Sequence, residues 1–210
     1  SPIRELSFDE AAELAYFGAK ILHPSTIHPC REKGIPVLLK NTLNPTDQGT
    51  RITSSYRANG IRAVASKDGI TAIRIKSLRM LMAYGFLKRV FDVFAQQRTA
   101  VDLITTSEVA ITLTVDDTSN LSKITEELRE FSSVEVTHNH SIICIVGDFV
   151  AEKPGIASQV FNAIKHIPIG LISYGGSSHN ISILVSSSHK QAALMALQTV
   201  VSTEVTIEQH

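Results

Sequence analysis

Gly85-Phe86-Leu87-Lys88-Arg89-Val90-Phe91 and Gly155-Ile156-Ala157-Ser158-Gln159-Val160-Phe161 share one pattern, a glycine and then apolar residues at helical spacing, 70 residues apart. Working outward, Val101-Asp102-Leu103-Ile104 is matched by Ile169-Gly170-Leu171-Ile172 at an offset of 68. Ala110-Ile111-Thr112-Leu113-Thr114-Val115 is matched by Asn180-Ile181-Ser182-Ile183-Leu184-Val185, again at 70. An offset that drifts by two residues and recovers is what an internal repeat shows when its elements are fixed and its loops vary.

Each copy reads β-α-β-β-α-β. In the first, Ile70 to Ile75 alternates as a strand, Gly85 to Ala95 has helical spacing, and Ala100 to Ile104 and Val109 to Val115 are strands. Asn120 to Phe131 is an amphipathic helix and Val134 to Val136 closes the unit. In the second, the matching pieces are Ser141 to Val146, Gly155 to His166, Gly170 to Ser173, Asn180 to Val185, His189 to Val201 and Glu204 to Ile207. The fold class is therefore α+β, two tandem ferredoxin-like (βαββαβ) units with helices on one sheet face. The other face is expected to be open or to pair with another copy. The strand Ile61 to Ala65, before the Lys67-Asp68-Gly69 turn, is extra to the pattern.

Residues 1–58 stand outside the repeat. Ser7 and Glu10 make a capping box, and Ala11, Ala12, Leu14, Ala15, Phe17, Ile21 and Leu22 come after it at helical spacing. His23-Pro24, His28-Pro29, Asn44-Pro45 and Gln48-Gly49 are turn signals around one short strand, Ile35 to Leu39. One helix, one strand and loops do not close a core of their own, so this segment reads as the tail of a larger domain. The expected division is 1–58, 59–138 and 139–210.

The 210 residues carry 20 basic and 20 acidic side chains, and 43% are hydrophobic but only 19% charged. No electropositive arm exists for nucleic acid or an anionic membrane, and no apolar run approaches the roughly 18 residues of a membrane span. Two cysteines, Cys30 and Cys144, form no disulfide framework, which suits a reduced, cytoplasmic setting.

The first copy holds the more pointed chemistry. A helix opening at Gly85-Phe86-Leu87 offers backbone N–H groups to an anion such as a carboxylate. Asp102 ends the next strand, and Ser107 and Glu108 lie in the adjoining turn. Together they suit a zwitterion with a second cationic end: N–H groups for the carboxylate, Asp102 for the α-amino group, Glu108 for a side-chain amine. Equally, glycine opens many helices and a strand-end aspartate commonly faces water. The second copy has Gly170 at the position of Asp102, so only the first copy suits a cationic amino acid. His23, His28 and Cys30, and His138, His140 and Cys144, lack metal-site spacing. Ser173 to Asn180 is glycine- and serine-rich but leads into a strand, so it reads as an inter-strand loop rather than a phosphate cradle.

Several stretches resemble aspartate kinases. Ser7 to Pro24, with Phe17-Gly18-Ala19-Lys20, is similar to the segment that closes their kinase domain. Ile35 to Ile52 is similar to the family's stretch just beyond that segment. Met80 to Val115, including Gly85-Phe86-Leu87 and Val101 to Val109, resembles the first ACT domain of the lysine-sensitive class, and Tyr174 to Asn180 the loop of its second. The resemblance implies the C-terminal tail of an amino-acid-kinase domain and then two ACT domains. No match to the family's Lys-Phe-Gly-Gly motif is present, so no catalytic residue is assigned and this piece is expected to be inactive alone. The parent enzyme would use Mg-ATP to phosphorylate L-aspartate, and Lys20 and Ile21 would be remnants of its ATP contacts. An L-lysine effector is implied at Met80, Ala83, Gly85, Phe86, Leu87, Ala100, Val101, Asp102, Ser107 and Glu108, between ACT domains of a homodimer. Ala83 departs from the more polar residue of some members. Other outcomes are an ACT sensor for threonine or a structural dimerisation module without ligand.

Overall fold

Two long strands organise the computed structural model, which describes residues 3–17, 24–54, 60–77, 84–148 and 153–201. They are β4 (Gly60–Lys76) and β7 (Ser133–Asp148), antiparallel partners from Gly60 opposite Asp148 to Lys76 opposite Ser133. Around them lie β5 (Ile104–Thr106), β6 (Ala110–Val115), β8 (Leu171–Tyr174) and β9 (Asn180–Ser186) in the order β5-β6-β4-β7-β9-β8. Both repeats are thus halves of one sheet. The first half of β4 pairs with the second half of β7. The Ile61 to Ala65 strand, expected as an addition, is therefore the fourth strand of the second repeat's half. Glu204 to Ile207, expected in that role, lies outside the described residues. The expected boundary between 138 and 139 falls inside β7.

Register irregularities interrupt the β4–β7 ladder at two places near its middle, and each contains a left-handed residue, Gly69 (φ +74°) or Asn139 (φ +61°). A bulge shifts the two-residue alternation by one. In β4 the helix-facing residues change from Val64 to Ile73 and Ile75, and in β7 from Ile143 and Ile145 to Val134 and Val136. This keeps the apolar set of both halves on the helical side.

Four helices cover that side. In the first repeat, α3 (Phe86–Gln96) and α4 (Leu121–Arg129) bury Val90, Val93, Phe94, Ile124 and Leu128 against Ile73, Ile75, Ile111, Leu113 and Val115. In the second, α5 (Ile156–Ala163) and α6 (Lys190–Gln198) bury Ile156, Val160, Ala193 and Leu197 against Ile143, Ile145, Ile181 and Ile183. Gly85 and Gly155 are the N-caps of α3 and α5 with φ of +83° and +86°, a conformation that costs a side-chain-bearing residue strain.

The opposite face is neither open nor left for a second copy over its whole extent. Part of it is covered by the N-terminal segment: β1 (Glu5–Ser7), α1 (Phe8–Tyr16), α2 (Pro24–Glu32), β2 (Val37–Leu39) and β3 (Thr50–Thr53). Leu6, Phe8, Leu14, Phe17, Ile27 and Ile52 form one core with Ile70, Ile142, Cys144, Val146, Leu171 and Leu184. β1 lies parallel to β3 and β2 antiparallel to it. The expected strand Ile35 to Leu39 is present as β2, whereas β1 and β3, three and four residues long, are too short for alternation to register. The His28-Pro29 turn signal is overridden, since Pro29 lies within α2. Proline forfeits one ladder bond there, but Pro24 occupies the first turn, where no bond is lost, and Ile27 is buried under the sheet. The expected strand Ala100 to Ile104 begins only at Ile104, although Asp102 N–H already donates to Thr114 O (2.9 Å).

Candidate functional site

Asp102 is held by the backbone bond to Thr114 O and by its place one residue before buried Leu103. Its side chain is only 3% exposed. Oδ1 accepts from Lys67 Nζ at 2.7 Å, and the same ammonium lies 2.7 Å from Asp116 Oδ2. Lys67 stands on β4 opposite Ile142, and Asp116 comes directly after β6. From α1, the Tyr16 hydroxyl donates to Asp102 Oδ1 at 3.5 Å, and the Tyr16 ring lies 5.3 Å from the Lys67 ammonium, a cation–π distance. Asp102 Oδ2 is buried and has no hydrogen-bond partner among the described residues.

Two carboxylates and one ammonium leave this cluster one formal negative charge in excess. Burial pushes the Asp102 carboxyl above its usual value, and the opposing pull of Lys67 does not cancel it. For Lys67, burial works against the charged form, but its bonds to Asp102 and Asp116 outweigh it and the ammonium is held above the usual lysine value. Tyr16 is raised first by burial and then by the Asp102 charge. An unpartnered buried carboxylate oxygen costs free energy until a donor reaches it. A cationic donor at Oδ2 would also offset the excess charge.

Other expected site residues lie around the start of α3 and the β5–β6 turn. Gly85, Leu87, Ala100, Ser107 and Glu108 are exposed, while Phe86 and Val101 are half-buried. Phe86 packs edge-on to Phe131 with ring centroids 5.8 Å apart, and Arg89 covers the Phe131 ring at 3.8 Å. The Ser107 hydroxyl donates to Ala110 O at 3.3 Å and closes the turn. Asp102 thus bonds toward β4 and α1, whereas Ser107 bonds within its own turn. Met80, Ala83, Lys20 and Ile21 lie outside the described residues.

Lys67, Asp116 and Tyr16 escape a reading of the sequence. Lys67 sits beside Asp68-Gly69 and reads as a turn residue, and the three are separated along the chain by 49 or more residues. Only the β4–β6 pairing and the packing of α1 on the sheet bring them together. α1 makes further polar contacts to the second repeat: Glu13 accepts from the Asn180 side chain, and Asp9 lies 3.9 Å from His179.

The amino acid kinase family model matches residues 1–41, and an ACT domain model matches residues 143–200. Aspartokinase 3 of Arabidopsis thaliana chloroplasts is 38% identical over 94% of this chain and 38% of its own length. The chain therefore spans well under half of that curated relative. Escherichia coli aspartokinase III, in its T-state complex with lysine and aspartate, superposes with a TM-score of 0.83 at 33% identity, covering 96% of this chain and 47% of that one. A C-terminal regulatory domain of aspartate kinase from Porphyromonas gingivalis W83 is 40% identical, with a TM-score of 0.61, over 66% of this chain and 96% of that domain. With kinase-type sequence at its start and tandem ACT-type units behind it, the chain belongs to the aspartokinase family.

Proposed function

We propose that this chain is the regulatory region of an aspartokinase and binds L-lysine as a feedback effector of the ATP-dependent phosphorylation of L-aspartate. The observation that carries the reading is the buried Asp102 carboxylate, with one oxygen unpartnered among the described residues in a cluster whose described members carry one negative charge too many. The α-ammonium of an amino acid supplies both the missing donor and the missing charge. The start of α3 at Gly85 would take the carboxylate, and Glu108 would take the second ammonium. The lysine complex of the E. coli structure supports the choice of effector. The remaining contacts would come from Met80, Ala83, Phe86, Leu87, Ala100, Val101 and Ser107, with a second subunit's first ACT unit closing the site in a homodimer. Lys20 and Ile21 are assigned to the ATP side of the parent enzyme, where Mg-ATP acts.

Tyr16 gives binding a route to the kinase-type segment. A ligand ammonium on Asp102 redistributes the bonds it makes to Lys67 and Tyr16, and α1 carries Tyr16. Lysine inhibits only insofar as it binds the inactive arrangement more tightly, a coupling of about 1–3 kcal/mol in typical systems. Calorimetric titration with L-lysine, L-threonine and L-methionine is the test. Lysine gives saturable heat, and Asp102→Ala removes it while circular dichroism stays native. Heat from threonine alone, or lysine heat unchanged in Asp102→Ala, rejects the assignment.

A further inference from the structure

The position related by the repeat to the salt cluster is a cavity, between Gly170 and Leu184 of the second repeat and strands of the first. Ala72 and Ile142 are equivalent positions, 70 residues apart, on the first strands of the two repeats. Ile142 is paired with Lys67, and Ala72 with Thr137, so Thr137 stands where Lys67 stands in the other half. Gly170 stands for Asp102: its N–H donates to Leu184 O at 2.8 Å, as Asp102 N–H does to Thr114 O at 2.9 Å. Ser186 stands for Asp116 at the same offset. All three charged members of the cluster are thus replaced by glycine or small hydroxyl residues. The space is a cavity of about 180 Å³ lined by Ala72, Thr137, Gly170 and Leu184, with Arg74, Thr112, Glu135 and His140 completing its wall.

We infer that this cavity is a second small-molecule site, built for an α-amino acid with a short, uncharged side chain. Arg74 Nη1 and Glu135 Oε2 are 3.5 Å apart, longer than a tight ion pair, and both side chains are about half exposed. A zwitterion inserts between them with its carboxylate on the guanidinium fork and its ammonium on Glu135, making two ion pairs from one. His140 Nδ1 is buried without a partner among the described residues and offers one more polar contact. The floor of Ala72, Gly170 and Leu184 is apolar, and the rest of the wall is two threonines. Among the described residues no second carboxylate lines the cavity, so a lysine side chain finds no counter-charge there. The volume is below the 300 Å³ or so of drug-sized pockets and suits a molecule of a few heavy atoms.

This site does not depend on lysine binding at Asp102, and the experiment separates the two. Glycine, L-alanine, L-serine and L-threonine are titrated calorimetrically into the chain and into two variants. Arg74→Gln removes the anion partner. Gly170→Val fills the cavity, which the backbone permits, because Gly170 is not left-handed and an added Cβ meets Leu184 at an ordinary 3.5 Å. The expected result is saturable binding of at least one of the four, weakened about tenfold or more in both variants, whose thermal unfolding and lysine response stay those of the parent. Failure of all four amino acids to saturate at millimolar concentration overturns the proposal. So does binding that survives both substitutions.

Discussion

Lys67 bonds to two carboxylates at once, and its titration tests the geometry of the cluster. Its ammonium is held above the usual lysine value because Asp102 and Asp116 outweigh the cost of burial. The native state therefore binds this proton more tightly than the unfolded chain does. The stabilisation is complete below the ordinary lysine value of 10.5 and fades as pH rises through the higher native value. Urea unfolding of the wild type between pH 8 and about pH 11.5 should lose stability more steeply at the alkaline end than Lys67→Met does. The variant should also be weaker at neutral pH, because it leaves the Asp102 carboxylate buried without its partner, and should regain part of that loss on acidification as Asp102 protonates. Parallel pH profiles would mean that the pair contributes nothing in solution. At this scale the sequence was half legible. Asp102 stood out because a strand-end acid came after an anion-favouring helix start, whereas Lys67 and Tyr16 are partners only through tertiary contacts at separations of 35 and 86 residues.

Elements were legible wherever a period persisted over enough residues. The helices α3 and α4 and the strands β6 and β9 lie within a residue or two of their expected ends, because each presents a buried stripe or an alternating face to the sheet. The helix α1 was visible through its cap: Ser7 Oγ accepts from Glu10 N–H at 3.1 Å, and Glu10 Oε2 accepts from Ser7 N–H at 2.8 Å. What composition could not tell is how much that cap matters. Glu10 is only 1% exposed, and α1 covers part of the face of the sheet opposite α3 to α6. Ser7→Ala should cost about 1 kcal/mol in urea unfolding. It should also raise amide exchange in α1 and in the first residues of β9, which α1 meets through Glu13 and Asn180. Faster exchange confined to α1 would show that the helix opens without disturbing the sheet.

The molecule as a whole departs most from its sequence. Two repeats of equal pattern read as two units in series, but β4 and β7 each serve both halves, and β5 and β8 at the ends of the strand order approach one another as the sheet curls. Strand partners so distant along the chain carry no local signature, and the Ile61 to Ala65 strand has nothing in its own pattern to say which repeat it joins. The consequence is mechanical. A plane separating the repeats would have to cut both long strands and split the core that Ile70, Ile142, Leu103 and Leu184 share with α1. Neither half can open fully without exposing apolar side chains of the other. Thermal unfolding should therefore be one transition, with calorimetric and van't Hoff enthalpies equal and with coincident curves from near- and far-ultraviolet circular dichroism. Serial units joined by a linker would instead melt in two steps, with amides of α3, α4 and β6 exchanging at a free energy distinct from those of α5, α6 and β9. Two resolved transitions would show that the shared strands do not couple the halves, and that an effector at Asp102 must act through α1 alone.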